Sequence, residues 1–200
     1  MPRESPDLHG SAPDKSKAAL LLIDVINDFD FPEGDELFEL AMPVGRNIAD
    51  LKRRAKAAKI PVIYVNDNFG RWQSDFKKTV AHATKPSAKG KQFVELLLPN
   101  DDDDYFVLKP KHSGFYSTTL DLLLMHLHAT NLILTGIAGN NCVLATANDA
   151  YMRDYKVFVP SDCVVSNTEE ENRYALKQME TVLKADTTVS KELDLERISG

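Results

Sequence analysis

Apolar residues in this chain gather into short unbroken runs instead of alternating with polar ones. Such runs lie at residues 18–25, 61–65, 105–108, 131–137 and 156–159, and they are aliphatic and often β-branched. A run of that kind is how a strand covered on both faces reads. Between them the period changes. Val44, Ile48, Leu51, Ala55 and Ala58 recur at steps of 3 and 4, which predicts a helix over residues 44–59. Further helices are predicted at residues 120–127 with Ser117 as cap, at 142–153 and at 168–183, with a short one at 92–98. The fourth opens on Thr168 with Glu171 three residues on, the pattern of a capping box. Residues 187–189 are a candidate last strand.

Strand–helix alternation of this kind predicts an α/β fold: a three-layer α/β/α sandwich around a mostly parallel, Rossmann-like sheet of about six strands. Residues 1–17, rich in small and charged residues, read as a flexible tail, and residues 18–200 as one domain. Residues 66–91 break the rhythm. A polar and aromatic stretch that long suggests a lid or binding loop.

Composition narrows the function. With 43% hydrophobic and 27% charged residues the chain is of ordinary globular type. A formal charge of −6 argues against nucleic acid as partner. No apolar run approaches the ~20 residues of a membrane span, and the first residues lack the apolar core of a signal peptide. Two cysteines, Cys142 and Cys163, do not make a disulfide framework, so a reducing cytoplasmic setting is expected. Neither a dinucleotide-binding glycine motif nor a phosphate-binding P-loop is present, and no cofactor is expected.

In an open parallel sheet ligands bind beyond the carboxyl ends of the strands. Three reactive residues fall there: Asp24 after the first predicted strand, Lys109 at the end of the third, and Cys142 after the fourth, opening a helix. A helix N-terminus and an ammonium both favour a thiolate. A carboxylate can take the thiol proton and return it to a leaving amine. Backbone N–H groups of residues 138–142 can hold an oxyanion, and Gly136 and Gly139 permit a tight turn there. Each residue also has a plainer reading: a buried thiol, a turn carboxylate, a solvated strand end. Cys163 is read as a buried structural thiol.

The stretches Leu20-Leu21-Leu22-Ile23-Asp24-Val25, Val107-Leu108-Lys109 followed after three residues by Ser113-Gly114-Phe115, and Thr135-Gly136-Ile137-Ala138-Gly139-Asn140-Asn141-Cys142 resemble the isochorismatase-like cysteine hydrolases. That family includes nicotinamidases and carbamoyl-amide hydrolases. The resemblance implies a catalytic Asp24–Lys109–Cys142 triad, an oxyanion hole at Ala138 and Cys142, and a cis peptide at Ile137–Ala138. Lys111 rivals Lys109, but the spacing to Ser113 selects Lys109. Gly114 replaces the usual alanine. Metal-dependent nicotinamidases carry an Asp-x-His pair after the second strand, where this chain has Asp67-Asn68-Phe69. No metal site is therefore expected; His82 and His112 would be the first ligands to test. Isochorismatases proper lack the cysteine.

The expected activity is hydrolysis of a small amide or carbamoyl C–N bond through a thioester, with Asp24 also activating the deacylating water. The alternatives are vinyl-ether hydrolysis and a non-catalytic binding or scaffold role. Phe29, Asn68, Phe69, Trp72 and Phe115 are the candidate substrate contacts, with Arg71 a further polar candidate. The long loop with Phe69, Trp72 and Phe76 suggests an oligomer, a homodimer or homotetramer.

Overall fold

The computed structural model describes residues 14–69, 75–100 and 102–200. Trp72 and Arg71, and most of the expected N-terminal tail, lie outside them. Within the described residues the strands are β1 (Ala18–Ile23), β2 (Val62–Asp67), β3 (Tyr105–Lys109), β4 (Asn131–Ile137), β5 (Lys156–Phe158) and β6 (Val164–Val165). All pair in parallel, in the order β3-β2-β1-β4-β5, with β6 also paired to β4.

The helices are α1 (Gly34–Ala57), α2 (Phe76–Ala83), α3 (Lys91–Leu96), α4 (Leu120–Leu127), α5 (Leu144–Tyr151), α6 (Glu169–Thr181) and α7 (Leu195–Ser199). The central strand β1 shows why its sequence is apolar throughout. Ala18, Leu20 and Leu22 point into one core with Leu37, Ile48 and Leu51 of α1 and Phe93 of α3. Ala19, Leu21 and Ile23 point into the other, with Leu120 and Leu124 of α4, Ala147 of α5 and Met179 of α6. Two helical layers thus enclose one sheet. Each Leu or Ile so buried contributes roughly 1.5–3 kcal/mol.

Several elements differ from the sequence reading. Helix α1 begins ten residues early and runs through Pro43, a residue that normally ends a helix interior. Ser117 does not cap α4: its backbone is left-handed, at φ 53°, and the N-cap is Thr119. The expected long loop after β2 contains α2, whose start is capped by Asp75 accepting from the Lys78 N–H at 2.8 Å. Residues 187–189 form no strand; the chain there makes a single bridge, Asp186 to Phe158, before a 3₁₀ turn at Ser190–Glu192. Thr168 and Glu171 do form a capping box at α6. Among the described residues no helix is long and apolar enough to cross a membrane.

Candidate active site

The carboxyl ends of β1 and β4 lie side by side at the point where the strand order reverses, so the chains leaving them diverge to opposite faces and leave a crevice. Asp24 is the first residue past β1. Its N–H donates to the Val65 carbonyl at 3.0 Å, which continues the β1–β2 ladder by one step. Its backbone then turns left-handed at φ 52°, an arrangement uncommon outside glycine that costs roughly 1–3 kcal/mol. The buried Asn66 amide holds the chain just beyond, accepting from the Ile26 N–H at 3.0 Å and donating to the Ile26 carbonyl at 3.1 Å.

Lys109 ends β3, paired in register with Asp67 of β2. Its four-carbon stem carries the ammonium across β2, and the side chain is fully buried. The Nζ lies 2.9 Å from Asp24 Oδ2, 3.5 Å from Asp67 Oδ2 and 3.5 Å from Cys142 Sγ. Asp24 Oδ1 accepts from the Asp67 N–H at 2.6 Å. The fold therefore brings Asp24, Lys109 and Cys142 together, with Asp67 as a second carboxylate on the lysine.

Cys142 does not open an α-helix. It sits in a π-helical turn, Gly139–Val143, that precedes α5. The Ile137–Ala138 peptide before this turn is cis. Ala138 caps the turn, its carbonyl accepting from the N–H groups of Asn141 and Val143 at 3.0 and 3.1 Å. Ser166 and Asn172 brace the turn: Asn140 N–H donates to Ser166 Oγ at 3.0 Å, and Ser166 Oγ donates to Asn172 Oδ1 at 3.1 Å. A Cβ on Gly139 would fall 2.5 Å from that Asn172 oxygen. Thr146 ties the Cys142 turn to the loop after β3, donating to the Cys142 carbonyl at 2.7 Å and accepting from Gly114 N–H at 3.0 Å.

Burial dominates the electrostatics. It raises the Asp24 carboxyl above the ordinary carboxylate range, although the Lys109 charge and hydrogen bonds from the thiol, the ammonium and the Asp67 N–H pull it back. Burial also opposes the Lys109 ammonium, but Asp24, Cys142 and Asp67 outweigh it and hold the lysine above its usual value. Burial and then the Asp24 charge push the Cys142 thiol up to about 12, against the pull of Lys109. The site thus favours the thiol over the thiolate, in keeping with a carboxylate that has to take the thiol proton. A π-turn flanked by a carboxylate in a dry site lacks the solvation a resting thiolate needs.

The candidate substrate contacts separate. Phe29 is wholly buried, edge-on to Phe38 and Phe93 at 5.5 and 5.4 Å, and belongs to the core. Phe115 is buried in the other core, beneath the Arg153 guanidinium at 4.7 Å and beside Tyr155. Asn68 is buried beside Lys109, its N–H donating to the Lys109 carbonyl at 3.0 Å. Phe69 is exposed, on a backbone at φ 52°. His112, which the sequence reading did not place in the site, brings Nδ1 to 3.9 Å from Cys142 Sγ. Its spacing three residues after Lys109 was the available signal. Cys163 is buried with no solvent exposure. His82 pairs with Asp28 at 2.8 Å. Among the described residues no three His, Cys, Asp or Glu side chains are grouped as metal ligands.

Comparison with known proteins shows the family. The chain is 44% identical over 179 residues to an uncharacterised isochorismatase family protein, YaaI, of Bacillus subtilis, covering 90% of this chain and 97% of that one. It is 32% identical to the ureidoacrylate amidohydrolase RutB of Methylobacterium radiotolerans, over 84% of this chain and 75% of the relative. The crystal structure of N-carbamoylsarcosine amidase from Thermoplasma acidophilum superposes with a TM-score of 0.67 at 26% identity, covering 89% of this chain and 99% of that one. The Isochorismatase domain model matches residues 18–190, from the first residue of β1 through the Cys142 turn to the edge of the 3₁₀ turn, and with it the chain belongs to the isochorismatase family of α/β hydrolases.

Proposed function

We propose that this protein is a cysteine hydrolase that cleaves the C–N bond of a small amide or carbamoyl compound through a thioester acyl-enzyme. One observation carries the reading: a buried carboxylate and a buried ammonium converge on the sulfur of Cys142 at the carboxyl rim of the sheet. The ionised form of Asp24 takes the thiol proton as Sγ attacks the carbonyl carbon. Lys109 stays charged throughout and offsets the negative charge as it passes from oxygen to sulfur. The N–H groups of Ala138 and Cys142 hold the oxyanion. Collapse of the tetrahedral adduct breaks the C–N bond, and the proton on Asp24 goes to the departing amine. Water then hydrolyses the thioester.

A cysteine nucleophile is what amide cleavage by acyl transfer needs and what vinyl-ether hydrolysis does not. The names of two relatives, for a ureido and a carbamoyl substrate, favour a carbamoyl amide here. A screen of small amides and carbamoyl compounds for ammonia release, with isochorismate and pyruvate release as the contrast, tests the class. On the substrate so found, Cys142→Ala should abolish turnover and leave the thermal unfolding transition in place, since Ala removes only the sulfur. Substantial activity in that variant would sink the proposal.

A further inference from the structure

Ser166 follows β6 and is wholly buried, yet neither it nor Asn172 of α6 has a part in the reaction described above. The Ser166 hydroxyl does two things at once. It accepts from the Asn140 N–H at 3.0 Å and donates to Asn172 Oδ1 at 3.1 Å, a pairing that needs a group able both to accept and to donate. The Asn172 amide donates in turn to the Val164 carbonyl at 3.2 Å, and Val164 pairs with Gly136 of β4. Strand β4 leads through Ala138 into the Cys142 turn. The turn is thus tied by side chains back to the strand it leaves. The fit is close: a Cβ on Gly139 would fall 2.5 Å from Asn172 Oδ1 and 3.0 Å from Ser166 Oγ.

We propose that Ser166, held by Asn172, is the positioning residue of the oxyanion hole, an inference that rests on the cysteine-hydrolase reading above. Within the turn the Asn141 N–H goes to the Ala138 carbonyl and the Asn140 N–H to Ser166. Both are committed inside the protein, and the oxyanion falls to the N–H groups of Ala138 and Cys142. The two ends of the turn are held differently. At the Cys142 end the Lys109 ammonium lies 3.5 Å from the sulfur, and the Thr146 hydroxyl bonds the Cys142 carbonyl. Toward the Ala138 end the anchor is Ser166. A donor stabilises a developing charge only if it already points where that charge appears. Loss of the Ser166 hydroxyl lets Asn140 move and takes the Ala138 N–H off that line, while the sulfur keeps its own supports. Attack on a carbonyl should then slow, and attack on a carbon that forms no oxyanion should not.

Two reagents separate these effects. p-Nitrophenyl acetate acylates the sulfur through a tetrahedral oxyanion, read as kcat/KM for p-nitrophenolate release. Iodoacetamide alkylates it by displacing iodide at a saturated carbon, read by peptide mass, which tells Cys142 from Cys163. In Ser166→Ala acylation should slow about 10²-fold while alkylation of Cys142 stays within about twofold of the wild type. On the amide found by the screen, kcat should fall with KM little changed. Asn172→Ala changes a half-buried side chain and leaves the hydroxyl in place. It should give the same split in smaller degree, and it decides the matter if Ser166→Ala does not fold. Equal slowing with both reagents would mean that Ser166 merely holds the fold, and no slowing with either that the turn needs no brace. Each would overturn the assignment while leaving Cys142 as nucleophile. Wild-type protein that releases no p-nitrophenolate, or release that survives in Cys142→Ala, would instead overturn the reading beneath it.

Discussion

Asp24 combines a left-handed backbone with a carboxyl group that burial raises, two costs borne at one residue. The second has a consequence for pH. Only the ionised carboxylate can accept the thiol proton, and the raised pKa keeps Asp24 protonated to higher pH than an ordinary Asp, near 3.9. Activity should therefore rise with pH through an acid limb displaced above that value, measurable in kcat/KM across pH 4–8. A midpoint at or below pH 4 would contradict the burial argument. With the Cys142 thiol at about 12, ionisation of the free thiol adds nothing to the rate below about pH 10. The donor set leads to a further expectation. Asp67 is followed by Asn68 and Phe69, neither an imidazole, and its carboxylate faces Lys109. Turnover should survive exhaustive chelation; loss of activity restored by zinc or iron would refute this. Asp24 and Lys109 were legible in the sequence because a charge ends an apolar run there, and Cys142 because it follows the fourth run in a glycine-containing turn; the resemblance to a known family chose Lys109 over Lys111. Phe29 and Phe115 were not, since an aromatic residue looks the same in sequence whether it lines a rim or fills a core.

At the scale of elements, the strands were legible from their apolar runs and the turn before Cys142 from its glycines, but helix boundaries were not. Pro43 inside α1 and the π-turn ahead of α5 are both departures from local preference that packing against the sheet sustains. The two-residue β6 is too short to show any period. Gly136 is where local conformation and packing coincide. Its φ is 117°, and a Cβ there would fall 2.0 Å from the Ile23 carbonyl oxygen, the residue before Asp24. Gly136→Ala should cost about 3 kcal/mol or more, because the nearest atom is backbone in the central pair of strands and cannot swing aside. Chemical denaturation would measure it; a loss under 1 kcal/mol would mean that the β1–β4 ladder yields more readily than its burial implies.

The whole molecule brings the three candidate side chains together. Residues 24, 109 and 142 are far apart in the chain, and the order β3-β2-β1-β4 sets their strands so that a lysine stem spans the gap. We expect a homodimer or homotetramer. Leu122, Met125, Tyr151 and Met152 on the α4–α5 side and Tyr174 and Val182 near α6 are all exposed apolar groups of the kind an interface covers. Sedimentation equilibrium at micromolar concentration should give a mass above that of one chain; a monomer there would dismiss the expectation.

The amino-acid sequence by itself determined the class of fold, because alternation of apolar runs and helical periods is a local property that no partner is needed to read, and with the family resemblance it singled out Asp24, Lys109 and Cys142 as the candidate trio. Only the tertiary structure decided which state those groups occupy. The protonated thiol, the second carboxylate on Lys109, the burial of two aromatics and the approach of His112 all depend on distances between strands and loops and on the exclusion of water, which arise when the sheet is assembled and covered.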